Sequence, residues 1–293
     1  MKAAPFAYVR PGSVADALSE LDSGEAKVLA GGQSLVPVLA MRLGRPATLV
    51  DINAIPGLDR VSVDGDRLVI GATARQRTVE HHPLAGRVPL LRLALPWVGH
   101  RELRSRGTVC GSLAHADPAA ELGAVAGCLD AELDIAGPSG TRTERARAFF
   151  TGALTTTVGP CELLTGVRFP VAGPGEGFGF AELARRHGDF ALAGVATRVR
   201  MDGERVTGAV LTGFGVSDRP VTRDVTDLVA SAAREDEEST RTALADPVAE
   251  LAHGMVDTAG DAHGSRGYRV RLLGVLGAAE LARAYHSATS GGE

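Results

Sequence analysis

Two short stretches carry residue types that could hold an anion. In the first, Leu29-Ala30-Gly31-Gly32-Gln33-Ser34-Leu35, an apolar segment runs into two glycines and resumes at once as a helical pattern. The second lies within Arg104–Leu122 and reads Thr108-Val109-Cys110-Gly111-Ser112, continuing past His115 to Asp117-Pro118. Main-chain N–H groups at the start of a helix lack partners, and glycine lets backbone approach a ligand that a Cβ would push away. Either stretch alone is compatible with a plain turn. Facing each other, the two could donate to both halves of a pyrophosphate. Neither matches GxGxxG or GxxxxGK(S/T), which disfavours Rossmann and P-loop readings.

Other chemistry finds little support. Cys110, Cys128 and Cys161 are isolated, with no CxxC spacing. That argues against a disulfide framework, a zinc knuckle or an iron–sulfur cluster on this chain. His81-His82 precede Pro83 with no further ligands at suitable spacing, so no metal site is expected. No Ser-His-Asp, Cys-His or paired-carboxylate arrangement stands out. Redox chemistry here would need an organic cofactor.

The elements that must position the two stretches alternate in the first half. Ser13 can cap a helix with Val14, Ala17, Leu18 and Leu21 on its apolar face. Lys27–Ala30 reads as a strand, Leu35–Leu43 as a helix and Thr48–Ile52 as a strand, so parallel β-α-β connectivity is expected. Arg67–Ala74 is a further strand and Leu90–Gly99 a helix. Asp117 is a natural N-cap with Pro118 at the first helical position, opening a helix to about Leu129. Ala131–Gly137 and Glu162–Pro170 are then strands. The character changes across Pro170–Gly177. Two β-rich runs follow, separated by Asp202-Gly203-Glu204, a hairpin signal. Helices are expected over Arg223–Ala233, Glu237–His253 and Ser265–Ser287, with the acidic block Glu235–Glu238 a solvated helix start.

The 293 residues suffice for two domains, and 44% hydrophobic with 23% charged residues is ordinary for a globular chain. The net charge of −4 shows no bulk attraction for nucleic acid or an anionic membrane. No apolar run is long enough to cross a bilayer and the N-terminus lacks a secretory pattern, so a cytoplasmic protein without membrane insertion is expected.

"LAGGQSLVP", then "RGTVCGSLAHADPAAEL", then "ARRHGDFALAGVA" (Ala184–Ala196) together resemble the FAD-binding medium subunit of the molybdenum hydroxylases, a family that includes carbon monoxide dehydrogenase. The resemblance extends to the terminal "YRVRLLGVLGAAELARA". It implies an α+β fold: an FAD-binding domain of two α/β subdomains (PCMH-type) over residues 1–172, followed by a smaller domain of antiparallel strands and helices over 173–293. It implies that Leu29–Leu35 (Leu29, Ala30, Gly31, Gly32, Gln33, Ser34 and Leu35) and Thr108–Ser112 (Thr108, Val109, Cys110, Gly111 and Ser112) bind the FAD pyrophosphate, largely through backbone N–H groups. Glu121 matches an acidic position that receives cofactor hydroxyls, and Asp117 stands in the same segment. Val98 and Leu164 match apolar positions lining the flavin or adenine pocket. Phe190 matches a side chain covering a flavin face, although by itself it reads as core packing. His115 touches the flavin edge or bonds to backbone.

Two departures stand out. Cys110 replaces a usual glycine; it is either a bystander or, with Arg104, Arg106 and His115 close in sequence, a modestly activated thiol. A lysine common just before the arginine pair is missing from Ala181-Glu182-Leu183-Ala184, leaving Arg185 or Arg186 as substitutes. The implied role is electron transfer in a complex with a molybdopterin-containing large subunit and a 2Fe-2S small subunit, doubled into a heterohexamer, with FAD carrying the chemistry. A stand-alone FAD-dependent oxidoreductase and a non-catalytic subunit with a degenerate FAD site stay open.

Overall fold

Three-residue to four-residue strands rich in Val and Leu can be buried only where helices cover them, and the first half of the chain is built that way. The computed structural model describes residues 2–290. Strands Ala7–Val9, Thr48–Asp51 and Ala26–Leu29 form a small sheet in that order, every neighbour parallel. Ser13 caps the Val14–Leu21 helix beside it, its Oγ accepting from the Asp16 N–H at 3.1 Å. A second, antiparallel sheet runs Val61–Asp64, Arg67–Gly71, Leu163–Pro170, Glu132–Gly137 and Gly140–Arg145. The Glu121–Leu129 helix, buried along its whole length, lies between this sheet and the second domain.

The second domain is a four-stranded antiparallel sheet, Glu176–Leu183, Ala193–Asp202, Arg205–Phe214 and Val221–Asp224, covered by helices Thr226–Ala232, Glu237–Met255 and Arg266–Ser290. The expected hairpin is present, and Gly203 takes φ +56° in a two-residue turn between Asp202 and Arg205. Asp236 caps the Glu237–Met255 helix, accepting from the Ser239 N–H at 2.8 Å.

The period-two alternation divides this sheet's faces. Val195, Val199 and Leu211 join the core beneath the long helices. Phe178, Phe180, Ala196 and Phe214 instead join the core of the first domain. The two domains therefore share an apolar seam. On the opposite face the Arg266–Ser290 helix lies so close that a Cβ on Gly179 would stand 2.5 Å from the Glu280 carbonyl oxygen.

Several expected boundaries move. The helix after Asp117-Pro118 starts only at Glu121, because Asp117 bonds locally instead: its Oδ1 accepts from the Ala119 N–H at 2.9 Å. The Pro118 carbonyl meanwhile accepts from Gly215 N–H at 2.8 Å, which holds this turn to the second domain. The Leu35–Leu43 helix ends at Ala40, and Arg42 turns out at φ +60°. Arg223 and Asp224 are strand, paired with Leu211 and Val210, so the helix expected from Arg223 begins at Thr226. Arg67–Ala74 ends as a strand at Gly71, and Gly264–Ser265 pair with Gly260–Asp261 before the last helix. Among the described residues, no helix is long and apolar enough to cross a membrane.

Candidate cofactor site

Strand Ala26–Leu29 delivers the chain into Ala30–Ser34, and the Leu35–Ala40 helix starts without a side-chain cap. Gly32 sits at φ +73°, the left-handed region that favours glycine. Val36 N–H closes the first turn onto the Gly32 carbonyl at 2.9 Å, and Gln33 Nε2 donates to the Gly31 carbonyl at 3.4 Å. Among the described residues, the N–H groups of Gly32, Gln33, Ser34 and Leu35 have no acceptor. All four residues are half-buried. A row of unengaged donors at a helix start suits a diphosphate.

The second stretch is built differently, and its backbone donors fall short of the expectation. Val109–His115 is itself a helix, with Thr108 as its N-cap. Val109 N–H donates to the Ala74 carbonyl at 3.2 Å, Gly111 N–H to Thr108 Oγ at 3.0 Å and Ser112 N–H to the Thr108 carbonyl at 3.1 Å. Of these four helical residues only Cys110 keeps its N–H without an acceptor among the described residues. Capping by Thr108 has taken up what a ligand would otherwise use.

Cys110 has ordinary helical backbone, so it carries no left-handed strain. Its side chain is 2% exposed, with Sγ 3.6 Å from the Ile70 carbonyl oxygen. Burial pushes the thiol well above its usual range, which overturns the idea of an activated cysteine. Arg104 is engaged elsewhere. Its guanidinium grips Glu80 through Nε at 2.9 Å and Nη2 at 3.2 Å, and donates through Nη1 to the carbonyls of Pro96, Val98 and Gly99.

The two stretches touch. A Cβ on Gly31 would stand 2.5 Å from the Arg106 carbonyl oxygen and 2.8 Å from Gly107 Cα. A polar strap reinforces the contact. Asn53 Nδ2 donates to the Ala30 carbonyl at 2.9 Å, while Arg75 reaches Asn53 Oδ1 at 2.6 Å and also donates to the Arg106 carbonyl. Asp51 in turn holds Asn53. Sequence reasoning missed Asn53 and Arg75. No motif marks them, because their roles depend on strand pairing.

Around this junction lie the remaining expected residues. Val98 is half-buried and fixed by Arg104. His115 closes the last turn of its helix, half-buried, before Ala116 at φ +52°. Leu164 is 5% exposed on its strand opposite Ile135, and belongs to the apolar core rather than to either loop. Asp117 forms the turn before Glu121. The segment Arg186–Phe190 comes from the second domain and packs on residues 97–100. His187 stacks on Trp97 with centroids 5.5 Å apart, and a Cβ on Gly188 would strike His100. Phe190 is 75% exposed, so the core-packing reading fails. Arg185 is an exposed residue, 3.6 Å from Asp189.

Glu121 is the first residue of its helix and 9% exposed; burial pushes its carboxyl up to about 7. Glu182 is 8% exposed, and burial followed by the Glu121 charge lifts it to about 8. Free N–H donors, a buried carboxyl and an exposed aromatic ring are residue types that suit the diphosphate, hydroxyls and ring of FAD. Among the described residues, no group of His, Cys, Asp and Glu could hold a metal ion.

Comparison with known proteins shows the family. Residues 4–172 match the family described as the FAD binding domain in molybdopterin dehydrogenase, and residues 178–285 match the CO dehydrogenase flavoprotein C-terminal domain. The chain is 34% identical to the 6-hydroxypseudooxynicotine dehydrogenase complex subunit alpha of Paenarthrobacter nicotinovorans, covering 98% of this chain and 97% of that one. It is also 34% identical to the carbon monoxide dehydrogenase medium chain of Afipia carboxidovorans, over 92% and 93% of the two chains. A solved carbon monoxide dehydrogenase from Hydrogenophaga pseudoflava superposes with a TM-score of 0.90 at 30% identity, covering 98% of this chain and 99% of that one.

Proposed function

The chain belongs to the FAD-binding medium subunits of the molybdenum hydroxylases, and from that premise we propose that it is the electron-transfer subunit of such an oxidoreductase, set between a partner's 2Fe-2S clusters and an external acceptor. Its partners are then a molybdopterin-containing large subunit and a 2Fe-2S small subunit, doubled into a heterohexamer. FAD, when bound, supplies the exchange of one or two electrons that no side chain here provides.

The observation that carries this reading is the joined pair of loops. Gly32–Leu35 offer a row of backbone donors to the diphosphate, with the Ser112 hydroxyl and the Cys110 N–H in the second stretch. Asn53 and Arg75 keep the two sides from separating. Phe190, exposed on the Arg186–Phe190 segment, would cover the flavin ring and limit water there. Val98 would form apolar wall, while Leu164 belongs to the core of the same domain. The division into residues 1–172 and 173–293 assigns FAD binding chiefly to the first domain, with Phe190 contributed by the second.

Cys110 in place of a usual glycine is the feature that would favour a stand-alone enzyme, and as a buried helical thiol it gives that alternative no support. The test is a pull-down from the source cell combined with the visible spectrum of the purified chain. Co-purification of molybdopterin-bearing and iron–sulfur subunits with a flavin-coloured chain is expected. A homogeneous chain whose flavin is bleached by a small-molecule donor without partners would overturn the reading.

A further inference from the structure

The even-numbered residues of strand Ala193–Asp202 face the first domain, and the row that passes through Ala196 ends in two arginines, Arg198 and Arg200. Their partners on the next strand are Val210 and Gly208. At its edge the apolar seam thus opens into a cavity of about 450 Å³ that both domains line. The first domain adds Arg67, Arg145 and Arg147. Gly208 is buried, and a Cβ there would stand 2.8 Å from Arg200 Nη2 and 2.9 Å from its Nε. The glycine leaves the space in which that guanidinium lies. Five arginines in one cavity need acceptors. Glu132 takes Arg67 at 3.5 Å and Arg145 at 3.1 Å, with Asp66 2.6 Å from Arg67 and Asp130 3.7 Å from Arg145. Glu176 pairs with Arg198 through Nη2, but Arg198 Nε is fully buried without a partner among the described residues. Among those residues the Arg147 side chain donates only to the Gly127 carbonyl, at 3.2 Å, and the Arg200 side chain has no hydrogen bond or ion pair. The remaining carboxylate near these two is Asp224, whose Oδ1 already accepts from the Thr226 N–H at 2.9 Å and hydroxyl at 2.7 Å.

We propose that this cavity is a binding site for the phosphoryl group of a small organic phosphate, held between the two domains by Arg147, Arg198 and Arg200. A planar carboxylate matches the fork of one guanidinium, whereas a phosphoryl group presents three acceptor oxygens in different directions. Arg147 comes from the first domain and the other two from the second, so donors reach the cavity from both sides of the seam. Its volume lies in the range of small-molecule sites. The site is separate from the glycine stretches: strand Arg67–Gly71 has Ile70 against Cys110 near one end and Arg67 in the cavity at the other. An occupant neutralises the two guanidinium groups that lack carboxylate partners and ties the domains together.

The experiment is calorimetric titration of the full-length chain with inorganic pyrophosphate at fixed ionic strength. The chain is kept FAD-loaded rather than FAD-stripped, so that the glycine stretches are not open to the probe. Pyrophosphate is expected to bind and to raise the melting temperature, and citrate, of similar charge, to bind at least about tenfold more weakly. A variant carrying both Arg147→Gln and Arg200→Gln is expected to bind pyrophosphate at least about tenfold more weakly than the parent. Both residues are exposed, so without pyrophosphate this variant should melt as the parent does. Gly208→Ala, which displaces the Arg200 guanidinium without removing it, should also weaken binding. Arg241→Gln, on the Glu237–Met255 helix, should leave it unchanged. No binding by the parent, or equal binding by the double variant, would overturn the site. Equal binding of citrate would overturn the phosphoryl assignment, and an equal loss in Arg241→Gln would reduce the effect to surface charge.

Discussion

Gly31 and Arg106 meet backbone to backbone: a β-carbon on Gly31 would lie 2.5 Å from the Arg106 carbonyl oxygen. The first glycine of the pair is therefore already required by the second loop. Gly32 is required by its own dihedral, φ +73°. Two adjacent glycines thus have separate physical reasons.

Substitutions at the pair should separate those reasons. Gly31→Ala must push the 106–108 backbone away, at about 1–3 kcal/mol of overpacking, and should lower both melting temperature and FAD content. Gly32→Val keeps the loops in contact but carries a left-handed β-branched residue, and should abolish or greatly weaken FAD retention with the fold intact. Flavin-to-protein absorbance ratio and circular dichroism together measure the two effects. Gln33→Ala should do less, because its main-chain donor survives.

Arg104 is the buried clamp of the Trp97–Gly99 wall, bonded to Glu80 and three carbonyls. Arg104→Met takes the guanidinium from Glu80, leaving only His81 at 4.0 Å, and removes the donor to the three carbonyls. Loss of about 3–5 kcal/mol is expected in urea unfolding, as for other broken buried pairs.

The three cysteines should differ in reactivity. Cys110 and Cys128 are buried and raised by burial, Cys128 to about 12, whereas Cys161 is partly exposed. A thiol reagent should label Cys161 first in the native chain and the other two only on unfolding. FAD should leave with acid or heat, since a thiol packed toward Ile70 cannot form a covalent flavin link. Cys110→Ala should retain FAD; Cys110→Gly should retain it too but melt lower, by about 1 kcal/mol, because glycine is unfavourable inside a helix.

Glu121 and Glu182 also set a pH dependence of stability. Both carboxyls hold their protons in the folded chain to about 7 and about 8, well above the ordinary carboxylate range. Between those limits the folded state binds more protons than the unfolded state, so stability falls as pH rises. The stripped protein should therefore melt progressively lower from mildly acidic to mildly alkaline pH. Glu182→Gln should flatten the upper part of that slope.

The sequence by itself determined the local features. Apolar periodicity and turn residues placed most strands and helices within a few positions. Asp202-Gly203 marked its hairpin, and the two glycine stretches with "ARRHGDF" pointed to the family. What lay beyond it depended on residues far apart in the chain. Asp117 reads as a helix cap, yet the Pro118 carbonyl is held by Gly215, nearly a hundred residues on, and the helix starts later. Thr108–Ser112 reads as a donor loop, but whether an N–H is free depends on which acceptor folds against it, here Ala74 and the Thr108 side chain. Asn53 and Arg75 became visible only when parallel pairing set Asp51 beside the end of strand Ala26–Leu29. Glu182 carries no sequence signal of burial. Its carboxyl is trapped because period-two alternation extends the Phe178–Phe180 row into the seam between domains, a placement fixed by packing across that seam and not by local pattern.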